Sequence, residues 1–119
     1  MFPSILNAIK EDKEIKINSS KDVRRDFVHL DDVLDAFLKC INFKGNNFEV
    51  FNIGSGYSIS IEEILKTFSG ILNRELDVSY LNSKKDDVKD IYINFSKARS
   101  LLGWEPKTKI EEGIRYILT

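Results

Sequence analysis

Residues 24–33, RRDFVHLDDV, constrain this chain most. Arg24 and Arg25 lead into the β-prone run Phe27-Val28-His29-Leu30, and Asp31 and Asp32 then open a helical pattern. A strand feeding a helix within ten residues points to an α/β chain, and the arginines sit at the head of the unit. An arginine held by a rigid neighbour can grip a phosphate or carboxylate through its planar fork of donors. The plainer alternative is a solvated arginine ahead of a capped helix.

The pattern continues on both sides. Residues 4–11 predict a short helix with Pro3 in its first turn and Ile5, Leu6 and Ile9 on one face. Residues 14–18 alternate, so Ile15 and Ile17 are expected inward and Lys16 and Asn18 outward. A helix over 31–42 carries Val33, Phe37 and Ile41, with Ala36 and Cys40 beside them, as one inward stripe. Residues 45–47 are a turn, 48–53 read as the best strand, and Gly54-Ser55-Gly56 ends it. Ser60-Ile61-Glu62-Glu63 is a capping box, opening a helix to about Leu72 with Ile61, Ile64, Leu65, Phe68 and Leu72 inward. Residues 77–80 suggest another strand, 84–87 a charged loop and 91–93 a short extended piece. Ser96 is expected to cap a helix closed by Gly103, and Thr108 with Glu111 a last helix along Ile110, Ile114 and Ile117. No repeat or low-complexity tract interrupts the alternation.

At 119 residues, with 42% hydrophobic and 31% charged content, the chain is the size of one domain and has the composition of an ordered one. A net charge of −1 argues against nonspecific attraction to nucleic acid or anionic membrane. The single cysteine, Cys40, excludes an internal disulfide and reads as a small core residue in a reducing, cytoplasmic setting. No signal peptide or membrane span is evident, and the start, MFPSILNAIK, lies almost inside a helix, as if cut from a longer chain.

Little here forms a self-sufficient active site. Gly54-Ser55-Gly56 lies where phosphate-binding loops occur, yet the third glycine of the dinucleotide fingerprint is Ile59. A tight turn is the simpler role. Tyr80 and Lys84 have the Tyr-x-x-x-Lys spacing of a catalytic pair, but Tyr80 ends a strand pattern and no helix supports them. His29 lacks a nucleophile or metal cluster, and the acidic doublets read as caps or solvated charges. Trp104 reads as an apolar plug beneath the last helix.

Three segments in order carry a resemblance. RRDFVHLDDVLDAFLK (24–39), FNIGSGYSISIEEIL (51–65) and FSKARSLLGWEPKTKIEEGI (95–114) resemble the C-terminal half of extended short-chain dehydrogenases/reductases, the NAD-dependent nucleotide-sugar epimerases and dehydratases. The resemblance implies an α/β fold of short strands alternating with helices, without the N-terminal Rossmann half. It makes residues 1–119 one nucleotide-sugar (substrate) binding C-terminal domain. The absent half would carry the NAD loop, the catalytic Ser/Thr and the true Tyr-x-x-x-Lys, so no catalytic or NAD-binding residue is assigned to this chain. The resemblance implies that in the full enzyme NAD would oxidise the sugar transiently to a keto intermediate, to be reduced to an epimer or to lose water.

Carried over residue by residue, Arg25 matches the diphosphate-contacting arginine, and Lys16 and Asn18 match positions edging the nucleotide base. Asn18 stands where the family usually has an aromatic, so hydrogen bonding replaces stacking. Lys84 stands for a second diphosphate arginine, with charge but no bidentate fork, and Ser19-Ser20-Lys21 replaces a Gly-Asp-Gly turn. The implied ligand is a UDP-, GDP- or dTDP-sugar and the implied setting surface-polysaccharide sugar synthesis. The implied partner is the missing Rossmann half, and self-association through the exposed edge of 48–53 is expected of the isolated chain. The competing reading is a free-standing nucleotide-sugar binding or protein-interaction module.

Overall fold

The computed structural model describes residues 1–45, 47–81 and 88–119. Among them the order is α1 (Phe2–Lys10), β1 (Ile15–Ile17), β2 (Arg24–Arg25), α2 (Leu30–Ile41), β3 (Ile59–Ser60), α3 (Ile61–Leu72), β4 (Val78–Tyr80), α4 (Ser96–Leu102) and α5 (Ile110–Leu118). The chain is α/β, as its alternating patterns predict. β1 and β4 run parallel, with Ile15 opposite Val78 and Ile17 opposite Tyr80. β2 and β3 pair antiparallel, with Arg24 opposite Ser60 and Arg25 opposite Ile59.

Local chemistry sets the helix ends. At the start of α3 the Ser60 hydroxyl accepts from the Glu63 amide at 3.1 Å and the Glu63 carboxylate accepts from the Ser60 amide at 2.8 Å, so the capping box is present. The imidazole of His29 caps α2 by accepting from the Asp31 amide, and Asp31 and Asp32 fill the first turn, where the helix dipole favours negative charge. Gly103 ends α4 at φ 61°, a conformation natural to glycine.

Two apolar clusters form. The larger packs Ile5 of α1, Ile15 and Ile17 of β1, four side chains of α3 and Ile114 of α5. The smaller joins Ala36 of α2, Ala98 of α4 and Trp104, with Phe51, Ile53, Phe95 and Leu102 against them.

Several expectations are corrected. Residues 48–53 carry no strand among the described residues, because a strand exists only by pairing and their backbone pairs with no other described segment. Residues 91–93, expected as a short extended piece, directly follow the parallel bridge between Arg24 and Asp90, and the Ile91 amide donates to the Arg24 carbonyl. The inward face of α2 is Asp32 and Ala36 rather than the Phe37 stripe: Phe37 and Ile41 are 63% and 65% exposed. Cys40 is exposed with them rather than in the core. Trp104 decides this, because its indole N–H donates to the Asp32 carbonyl at 2.8 Å and its ring packs on small Ala36. It is thus a plug between α2 and α4, not beneath the last helix. Ser96 does not cap α4; the Asn94 side chain accepts from the Ser96 amide at 2.9 Å instead. Nor does Thr108 cap α5, whose N-cap is Lys109, since the Thr108 amide donates to Asp32 at 3.0 Å. The charged loop at 84–87 lies outside the described residues.

Candidate functional site

The arginine-led strand β2 is held from two directions. Its backbone is fixed on one side by β3 and on the other by residues 89–91: the Arg24 amide donates to the Lys89 carbonyl at 2.7 Å, and the Ile91 amide donates to the Arg24 carbonyl at 3.3 Å. The two arginines then diverge, as neighbours on a strand must. Arg24 turns to the start of α3, donating to the Ser58 hydroxyl at 3.2 Å, the Ser58 carbonyl at 2.7 Å and the Glu63 carboxylate at 2.9 Å. It fastens β2 to the capping box. Glu63 is correspondingly held below the ordinary carboxylate range, chiefly by the Ser60 amide, then by the Ser60 hydroxyl, with the Arg24 charge adding to both. Arg25 lies on the other side, its Nη1 donating to the Val88 carbonyl at 2.6 Å and the Arg24 carbonyl at 2.8 Å.

Lys16 and Asn18 share a different surface. Both line a groove of about 460 Å³ between α1 and β1, with Ser4 and Ser19 at its edges and Ile5, Ile15, Ile17 and Ile61 along its floor. Lys16 is exposed, 3.7 Å from Glu14. Lys84 lies outside the described residues, but both neighbouring described residues are anchored: the Leu81 amide donates to the Ile17 carbonyl at 2.8 Å, and Val88 holds Arg25.

Tyr80 ends β4 rather than lying on a helix, and burial followed by the nearby Glu62 carboxylate raises its phenol above the usual range. No helix supports the spacing to Lys84, which lies outside the described residues. His29 is engaged as the α2 cap and meets the Tyr116 ring edge to face at 5.8 Å. Among the described residues no cluster of three or more His, Cys, Asp or Glu could hold a metal ion. No helix among them is long and apolar enough to cross a membrane.

The residue that sequence reasoning missed is Asp26. Its carboxylate accepts from the amides of Ser55 at 2.7 Å, Gly56 at 3.0 Å and Ile93 at 2.9 Å. The available signal was an acidic residue inside a β-prone run, where a half-buried carboxylate requires donors. Its presence also accounts for the Gly54-Ser55-Gly56 turn. A side chain at Gly54 would run into Ile93, and Gly56 sits at φ 81°. The amides that could have faced a pyrophosphate already hold Asp26, and Ile59 occupies the third glycine position. This turn does not fit NAD.

Comparison with known proteins gives a consistent result. The family model described as GDP-mannose 4,6 dehydratase matches residues 1–117. The UDP-glucuronate 4-epimerase of Thermodesulfobacterium geofontis is 36% identical over 108 residues, covering 90% of this chain and 33% of the relative. The dTDP-4-dehydro-6-deoxyglucose reductase of Escherichia coli is 29% identical over 118 residues, covering 99% of this chain and 37% of the relative. The crystal structure of UDP-glucuronic acid 4-epimerase from Bacillus cereus, in complex with UDP-glucuronic acid and NAD, superposes with a TM-score of 0.88 at 27% identity, covering 96% of this chain and 37% of that one. The chain thus spans about a third of the length of the curated relatives it matches.

Proposed function

Because this chain belongs to the GDP-mannose 4,6 dehydratase family, within the NAD-dependent nucleotide-sugar epimerases and dehydratases, we propose that it is the substrate-binding portion of such an enzyme. Arg25 is its diphosphate grip. The observation that carries this reading is the seating of Arg25 on a strand fixed on both edges, with its Nη1 resting on two carbonyls. A guanidinium so placed loses little further freedom on meeting phosphate oxygens. Lys16 and Asn18, in the groove beside α1, take the base end, Asn18 by hydrogen bonds rather than stacking. Lys84 adds a second cation toward the diphosphate. The ligand class is a UDP-, GDP- or dTDP-sugar, in keeping with the UDP-glucuronic acid complex of the relative.

In this reading NAD and the proton chemistry belong to the remaining two thirds of the family's length, since the Gly54-Ser55-Gly56 turn does not fit the cofactor. The chain's own residues bind and orient the substrate. Surface supports the partition. Leu30, Leu34, Phe37, Leu38 and Ile41 line one exposed face of α2, and Phe48 is 91% exposed. The accessible area is 8471 Å², against about 6,600 Å² for a compact monomer of 13.7 kDa. The radius of gyration is 16.8 Å, against about 13.5 Å for a compact domain of this length. We assign the excess to a face that the dinucleotide-binding portion covers.

Calorimetry on the 119-residue chain tests the reading with UDP, GDP and NAD. Binding of one nucleoside diphosphate is expected, weakened about tenfold or more by Arg25→Ala, the scale of one charge-assisted hydrogen bond. Undiminished binding by Arg25→Ala, or stoichiometric NAD binding by this chain, would contradict it.

A further inference from the structure

Asp26 occupies an anion seat with an internal anion. The consecutive amides of Ser55 and Gly56 converge on its two oxygens, and the Ile93 amide closes the seat from another segment. Successive backbone N–H groups arranged in this way attract a negative charge whatever its source. Here the charge comes from the residue next to Arg25. The consequences run along residues 88–93: Val88 carries the carbonyl on which Arg25 rests, Lys89 and Ile91 pair with the Arg24 backbone, and Ile93 is tied to Asp26. The segment under the Arg25 guanidinium is therefore fastened at its far end by the Asp26 carboxylate. On the opposite side the same carboxylate fastens the turn leading to Ser58, which holds Arg24.

We propose that Asp26 is the positioning residue for Arg25, its carboxylate locking residues 54–56 and 88–93 so that the guanidinium keeps one direction. The proposal rests on the reading of Arg25 as the diphosphate grip. Asp26 touches no substrate in it and acts through its neighbour. Two side effects follow. Asp26→Asn keeps the shape but loses half of the accepting capacity, because an amide nitrogen cannot accept from an N–H. Asp26→Ala vacates the seat, so a small carboxylate such as formate can refill it.

The experiment combines UDP calorimetry with ¹⁵N NMR on the wild-type chain, Asp26→Asn, Asp26→Ala, Arg25→Ala and the Arg25→Ala/Asp26→Asn pair. Asp26→Asn is expected to weaken UDP binding about tenfold in the wild-type background and not at all in the Arg25→Ala background, because a residue acting through Arg25 has nothing left to position. The Arg25 Nε resonance should shift together with the amides of Ser55, Gly56 and Ile93, while the amides of Ile64 and Phe68 stay in place. Formate should restore UDP binding to Asp26→Ala. Equal weakening in both backgrounds, or an Arg25 resonance that does not move while the three amides do, overturns the proposal. If Asp26→Asn does not fold, the wild-type chain decides. The amide of exposed Gly56 must exchange slowly with solvent, and exchange at an unprotected loop rate overturns the clamp. A wild-type chain that ignores UDP removes the diphosphate reading, and the hold of Asp26 on Arg25 then stands or falls on the arginine resonance.

Discussion

Phe37 and Phe68 each lie eight positions into a helix of 12 residues, α2 and α3 respectively, yet Phe68 is fully buried and Phe37 is 63% exposed. Both helices are amphipathic by sequence. The difference is in what the chain supplies around them. α3 is flanked by α1, β1 and α5, whose isoleucines close over it. α2 meets α4 and Trp104 along its Asp32 and Ala36 side, and the side chains of its larger apolar side, Leu30, Leu34, Phe37, Leu38 and Ile41, are each half or more exposed. An apolar stripe shows that a helix has a face to cover. It does not say whether the cover belongs to the same chain.

β2 runs along the seam between these regions. Phe27, just beyond it, packs against the α3 cluster and meets Phe2 edge to face at 5.3 Å. Asp26 ties the segments that carry Ile53 and Phe95 of the other cluster. The proposed grip thus stands where a closed half meets an open one, a common place for ligand recognition between structural units.

The largest effect that could break this comparison is a matched truncation. Phe68→Ala should cost about 3–5 kcal/mol of unfolding free energy, and Phe37→Ala no more than about 0.5 kcal/mol, in urea titrations of the isolated chain. Equal costs would mean that α2 is covered after all. A smaller effect concerns the joint that holds β2 to α3. Ser60→Ala should cost about 1 kcal/mol, since the Glu63 amide loses its cap.

The smallest effect is a pH dependence at the same joint. The Glu63 carboxyl is held below its ordinary value in the folded chain, by the Ser60 amide first, then the Ser60 hydroxyl and Arg24. A depressed carboxyl stabilises the fold above its unfolded value, and that contribution disappears as pH falls through the folded one. Thermal unfolding of the wild-type chain should therefore fall more steeply below the ordinary carboxylate range than that of Glu63→Gln. Parallel curves would remove Glu63 from the joint.

The comparison also explains what was legible in the sequence. The capping box at Ser60, the glycine stop at Gly103, the Ile15/Ile17 alternation and the α3 core follow from local rules that need only nearby residues. Apart from Ser96, where the nearby Asn94 side chain takes the amide, the misread features depended on distant partners. Residues 48–53 have strand chemistry without a pairing segment, and the face of α2 turned on Trp104, 68 positions beyond Ala36. Thr108 reads as a cap, but its amide is claimed by Asp32 of α2. At the site, Arg25 stood out by type and order, whereas Asp26 emerged from three amides on two remote segments.

Native-state amide exchange of the isolated chain tests the division between closed and open halves most directly. The amides of Leu65 and Phe68 in α3 should open only by global unfolding, and those of Phe37, Leu38 and Ile41 in α2 should exchange through local opening at least about tenfold faster. Equal protection along both helices would contradict the account.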